Sequence, residues 1–195
     1  MTKKYLLIGA AVTAGLLAGC FGKNSQPATE QVIMQNDESL IERGKYLVTI
    51  SGCNDCHSPK IMSAQGPEPD PSRMLSGHIQ DEKLPPMHAN AGKDGWVNFN
   101  MNTTAAVGPW GVSFAANLTP DETGIGTWTF DRFKTAIQKG KYKGLEGSRM
   151  LLPPMPWQVY KNIKEDDLKA IYVYLKSLPP INNLVPQPIL STPKL

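Results

Sequence analysis

The chain of 195 residues carries 20 lysines and arginines against 17 aspartates and glutamates, a formal net charge of +3. That near-balance gives no sign of a polybasic surface for nucleic acid or anionic lipid, and the length suits one domain with extensions rather than two sizeable cores. Seventeen glycines and seventeen prolines predict a chain rich in loops.

Residues 1–20, MTKKYLLIGAAVTAGLLAGC, begin with Lys3 and Lys4 and are then uncharged from Tyr5 to Gly19. Those fifteen residues fall short of the roughly 20 that cross a bilayer and match the apolar stretch of a signal peptide. The segment closes with LLAGC, which resembles the bacterial lipobox. That resemblance implies cleavage after Gly19 and a diacylglyceryl group on Cys20; an ordinary signal peptide with a stray thiol is the alternative. Loss of the two lysines leaves 18 basic residues against 17 acidic ones. The polar stretch that follows, up to residue 36, is a tether between lipid and domain. The implied location is the periplasmic side of a membrane. In a Gram-negative cell Phe21, where an aspartate is associated with inner-membrane retention, points to the outer membrane.

A helix is predicted over residues 39–52, with Asp37 or Ser39 as its cap and Leu40, Gly44, Leu47 or Val48, and Ile50 or Ser51 on one face. A glycine inside a helix costs about 1 kcal/mol relative to alanine, so Gly44 marks a close helix crossing, expected against Ile171 or Tyr174.

The helix leads into SGCNDCHSPK, residues 51–60. With Cys20 assigned to lipid, Cys53 and Cys56 are the remaining cysteines, and no disulfide framework is left. A free pair in an exported, oxidising setting oxidises unless a cofactor consumes it or it works as a redox couple. Two cysteines three apart followed by histidine are the attachment signal of a c-type haem. The thiols add across two vinyl groups of one porphyrin, and the next residue presents its imidazole to the iron. Cys53 and Cys56 are thus the covalent attachment points and His57 an axial iron ligand through Nε2. A structural zinc site needs four ligands, and only His78 and His88 remain, without finger spacing. A thioredoxin-like dithiol expects strands around it, and strand periodicity is scarce here.

Residues 58–127 are a long insertion, and a structureless loop of that length is uncommon in a compact domain. Trp96, Phe99, Trp110 and Phe114 are expected to attach it to the apolar face of the haem, where it narrows solvent access. NLTPDETGIG is a tight turn expected against the haem or its propionates. Asn117, Trp128, Arg149 and Trp157 are candidate haem contacts, with ordinary turn and packing duties as the alternative for each. A helix follows in TFDRFKTAIQKG, where Phe130, Phe133 and Ile137 share a face and Gly140 is the stop.

An electron carrier holds its iron on both faces, and a thioether raises the potential by stabilising ferrous iron. Met155, in LPPMPW, is the strongest sixth ligand because prolines stiffen the segment around it. Met150, Met101 and Met87 stay open, as does a bis-histidine pair using His78 or His88. The last helix begins near Lys164–Asp166 and runs through DDLKAIYVYLKSL, with Leu168, Ile171, Tyr172 and Leu175 on one face and Pro179 and Pro180 as its stop. The tail from residue 181 to 195 is expected to run extended over the surface.

Residues 37–180 together resemble a class I cytochrome c: a helix entering the haem motif, a middle helix, a methionine loop and a closing DLKAIYVYLKSLP helix. SFAANLTPDETGIGTWTFDRF and LLPPMPWQVYKNIKEDDLKAIYVYLKSLPP are similar to stretches of exported bacterial cytochromes that serve periplasmic alcohol and aldehyde dehydrogenases. The resemblance implies a mainly α fold with a long loop insertion between the haem motif and the distal methionine, Met155 as that methionine, and one covalently bound haem c per chain. It implies redox protein partners, such as a dehydrogenase or a terminal oxidase, beside a membrane contact through lipid and no nucleic acid. The expected layout is a signal peptide over 1–19, a lipidated cysteine and tether over 20–36, the cytochrome domain over 37–180 and the tail. No Ser-His-Asp set, phosphate loop or carboxylate cluster suggests independent catalysis, so the expected role is a membrane-anchored electron carrier rather than an enzyme. The alternatives are a haem enzyme or a gas or peroxide sensor with an open or displaceable sixth position, and a subunit relaying electrons within a fixed complex.

Overall fold

The computed structural model describes residues 28–86, 90–93 and 95–191, with side chains from residue 37 onward. The expected signal peptide, Cys20, Met87 and His88 lie outside the described residues.

The helix predicted over 39–52 is the C-terminal part of a longer one, α1 (Ala28–Ile50), so part of the stretch assigned to a tether is helical. It packs against the C-terminal helix, α5 (Glu165–Ser177), and the two cross at Gly44. A Cβ built on Gly44 falls 2.1 Å from the Ala170 carbonyl oxygen and 2.6 Å from Tyr174 Cβ. Tyr174 is therefore where the sequence places it, whereas the Ala170 backbone fills the position expected of Ile171. Ile171 instead turns into the core, with Leu47, Val48, Ile125, Phe133, Leu168 and Leu175. Arg43 and Asp167 bridge the two helices with Nη2 and Oδ1 2.9 Å apart. Glu165, Asp166 and Asp167 favour the positive end of α5. Leu178 leaves the helix in an extended conformation, which the following proline imposes.

Two short helices and one of intermediate length complete the α part. The CNDCH stretch forms α2 (Cys53–His57), set off from α1 by Gly52 at φ 68°. The Thr129 hydroxyl accepts the Arg132 N–H at 3.3 Å to cap α3 (Phe130–Lys139), and Gly140 ends it at φ 64°. After the Pro153–Pro154 peptide, which is cis, comes α4 (Trp157–Tyr160).

The expectation of a mainly α chain with a loop insertion needs correction: the described residues form a mixed α/β fold of five α-helices and two sheets. β1 (Lys60–Ser63) and β2 (Gly66–Pro69) make an antiparallel hairpin. β3 (Asn98–Phe99), β4 (Ala105–Gly108), β5 (Gly111–Phe114) and β6 (Ile189–Leu190) make an antiparallel sheet in that order. Strands of two to four residues are too short for their alternation to be read against the loop background. The tail, expected to run extended, supplies β6, and buried Asn183 pins it by donating from Nδ2 to the carbonyls of Ser76 at 2.7 Å and His78 at 2.8 Å.

Candidate functional site

Between α5, α3 and the β4–β5 hairpin lies a cavity of about 370 Å³, within the range of small-molecule and cofactor sites. Core residues Phe133, Leu168, Ile171 and Leu175 form one side, and Ala105, Ala106, Ser113 and Phe114 of the hairpin form another. Cys53, Cys56, His57 and Met155 all line it, although His57 and Met155 are 98 positions apart in sequence.

The setting of His57 follows from its neighbours. The buried Ser58 hydroxyl donates to Asn54 Oδ1 at 2.9 Å and accepts the Leu75 N–H at 2.8 Å. Gly77 N–H donates to the His57 carbonyl at 2.7 Å. Gly77 sits at φ 80°, and a Cβ there would lie 2.6 Å from the Ala115 carbonyl oxygen, so only glycine lets this loop lie flat on residues 115 and 116. His57 Nδ1 is 2.7 Å from the Ala116 carbonyl oxygen. A carbonyl can only accept, so Nδ1 carries the proton and Nε2 keeps its lone pair. Burial lowers the imidazole pKa, outweighing the bond to Ala116 that raises it, and so favours the neutral ring. A neutral imidazole with its tautomer set by a backbone carbonyl is the form that binds a metal.

Cys53 and Cys56 are free and half-buried. Burial pushes the Cys53 thiol up to about 11, and burial followed by the Asp55 charge raises Cys56 as well. Redox dithiols work through a thiolate of lowered pKa, so this environment speaks against that alternative. The Tyr160 hydroxyl donates to the Ser51 carbonyl beside them at 2.5 Å.

Among the methionines whose side chains are described, Met155 alone lines the cavity; Met101 and Met62 are 79% and 71% exposed, and Met150 and Met74 lie off it. His78 is fully buried but does not line the cavity: Nδ1 meets Thr104 Oγ1 at 2.9 Å and the ring packs on Phe114 with centroids 4.7 Å apart.

The other expected contacts divide. Trp128 and Arg149 line the cavity, with the Arg132 guanidinium 4.7 Å over the Trp128 ring and the Arg149 guanidinium 3.9 Å over Tyr142. Asn117 also lines it, yet its amide donates to Thr123 Oγ1 and the Ile181 carbonyl and its oxygen accepts from Thr119, so it holds the turn and the tail together. Trp157 is not on the cavity; its ring covers Gly140. Of the insertion's aromatics only Phe114 reaches the cavity. Trp96 and Phe99 are 70% and 47% exposed, and Trp110 covers Gly108. The sequence reading missed Arg132 and Lys143, which with Arg149 make this end of the cavity cationic, Tyr142 beside them, and the tail residues Leu184–Pro188. Nothing local in the sequence marks them, because their neighbours are distant in the chain.

No family model matches the chain. It is 29% identical over 141 residues to the gluconate 2-dehydrogenase cytochrome c subunit of Pantoea cypripedii, covering 72% of this chain and 23% of that protein. It is 28% identical over 166 residues to the cytochrome c subunit of a quinone alcohol dehydrogenase of Gluconobacter oxydans, covering 84% of this chain and 25% of the relative. A third match, at 28% over 183 residues, is a nicotinate dehydrogenase subunit of Pseudomonas putida, covering 92% of this chain and 12% of that protein. These relatives are subunits of dehydrogenases, two of them cytochrome c subunits by name. The chain spans a quarter or less of the length of each of these curated relatives.

Proposed function

We propose that this chain is a single-haem c-type cytochrome that passes electrons between redox proteins, one of them a dehydrogenase. The observation that carries the reading is the His57 imidazole: Nδ1 bonded to a backbone carbonyl 2.7 Å away, Nε2 left as a ligand atom at a largely apolar cavity, and two free thiols within one helical turn before it. Bound there, haem would supply one-electron ferric–ferrous chemistry. The residues suit it: Cys53 and Cys56 would carry the thioethers, His57 one axial position and Met155 the other. Arg132, Lys143 and Arg149 at the cationic end would face the propionates, with Trp128 beside them. Apolar residues from α3, α5 and the β4–β5 hairpin exclude water, which favours the less charged ferrous state. In this reading the fold is that of a class I cytochrome c carrying a stranded insertion, the chain is exported, and lipid on Cys20 holds it on the periplasmic side of a membrane, the outer one in a Gram-negative cell. Similarity to dehydrogenase cytochrome subunits supports the partner class.

The test is the ferric and ferrous absorption spectrum of the haem-loaded chain beside Met155→Ala. A low-spin wild type whose weak near-infrared band disappears in the variant supports methionine ligation and the carrier role. Identical spectra remove Met155 from the iron, and a high-spin pair replaces the carrier by an enzyme or sensor with an open position.

A further inference from the structure

The Lys60 ammonium, which does not line the cavity, is gathered onto backbone oxygens. Nζ donates to the carbonyls of Asn54 at 3.1 Å, Asp55 at 3.0 Å and Ser58 at 2.5 Å, and lies 3.4 Å from the carbonyl of Asn102. The first three belong to the haem motif or follow it directly, at the C-terminal, negative end of α2, where a cation is favoured. The fourth comes from the loop before β4. Lys60 also binds that loop through its own N–H, which donates to Asn102 Oδ1 at 3.1 Å, while Thr103 Oγ1 donates to the Asp55 carbonyl. Among the described residues no carboxylate forms an ion pair with Lys60. Asp55, the acidic residue nearest to it in the chain, is exposed and screened by solvent.

We infer that Lys60 is a positioning residue for the haem motif, which ties α2 to the 102–103 loop and whose positive charge would raise the reduction potential of a haem iron held by His57. This inference rests on the haem proposal. Haem iron carries one more positive charge when ferric than when ferrous, so a cation held close by protein dipoles disfavours the ferric form. Lys60 forms no part of the cavity wall, so its effect passes through the field and through the placement of α2 rather than through contact.

The experiment is a potentiometric titration, followed by absorption, of the haem-loaded full chain as wild type, Lys60→Gln and Lys60→Arg. Glutamine keeps a donor for one carbonyl and drops the charge; arginine keeps the charge. At the potential where wild type is half reduced, Lys60→Gln is expected to show a ferrous-to-ferric ratio lower by about threefold, and Lys60→Arg a ratio close to wild type. Equal ratios in wild type and Lys60→Gln overturn the inference, and so does an equal fall in both variants. Should Lys60→Gln not accumulate with haem, Lys60→Met, which also drops the charge, takes its place: a lowered ratio supports the role and an unchanged one overturns it. A wild-type chain that takes no haem overturns the haem proposal itself, a failure visible before any potential is measured.

Discussion

Gly44→Ala tests whether the α1–α5 crossing is as close as the geometry requires. The new methyl would sit 2.1 Å from the Ala170 carbonyl oxygen, 2.7 Å from its carbonyl carbon and 2.6 Å from Tyr174 Cβ. None of these atoms can rotate away, because two are helix backbone and the third is fixed to it. The helices must part by roughly 1 Å to restore van der Waals distance, which loosens Leu47 and Val48 against Leu168 and Ile171. Overpacking of this kind typically costs about 1–3 kcal/mol, and the backbone clash places Gly44→Ala at or beyond the upper end of that range. Alanine returns about 1 kcal/mol of helix propensity. The net loss expected is about 2 kcal/mol, which lowers Tm by about 4–8 °C in a chain of this size. Gly147→Ala is the control: nothing lies within 4 Å of its Cβ position, and its Tm should stay within about 1–2 °C of wild type. Thermal unfolding followed by far-UV circular dichroism reads both. A Gly44→Ala protein that melts with the control would refute the close crossing.

Two further predictions concern how the insertion and the tail are held. Asn183→Ala removes the donor shared by the Ser76 and His78 carbonyls and the acceptor of Gln80 N–H. Leaving those groups unpaired should cost about 2–4 kcal/mol in denaturant unfolding, and an unchanged midpoint would mean that the tail is not pinned there. The second concerns pH. Burial lowers the His78 pKa against the opposing pull of Glu82, and its buried Nε2 has no partner to receive a proton. A histidine whose folded pKa lies below its unfolded one contributes stability that is fully present above the unfolded value, near 6.5, and is lost as pH falls. Unfolding free energy should therefore drop between about pH 7.5 and 5, and the drop should be smaller in His78→Gln. Parallel pH profiles for the two proteins would count against burial as the cause.

The sequence by itself determined the features whose physics is local. Three residues, Cys53, Cys56 and His57, suffice to raise the expectation of haem attachment, because that chemistry needs their spacing whatever surrounds it. The periodicity of Phe130, Phe133 and Ile137, and of Leu168, Ile171 and Leu175, together with Gly140 and Pro179 as stops, located two helices within a residue or two of their observed bounds. Gly44 was legible as a crossing point because a glycine inside a helix has a cost that only close packing explains. The tertiary structure alone decided what depends on distant partners. Strands of two to four residues exist here because each has a neighbour to bond, β5 finding β6 some 77 positions away. It placed Met155 rather than Met101, Met62 or Met150 on the cavity, and withdrew Trp157 from it. The lone pair of His57 Nε2 also belongs to the fold: Ala116 brings the carbonyl that fixes the tautomer, and Gly77 lets the intervening loop lie flat enough for it to do so. Hydrogen bonds between residues 59 positions apart leave no trace in local composition, since many residues could supply the same backbone oxygen.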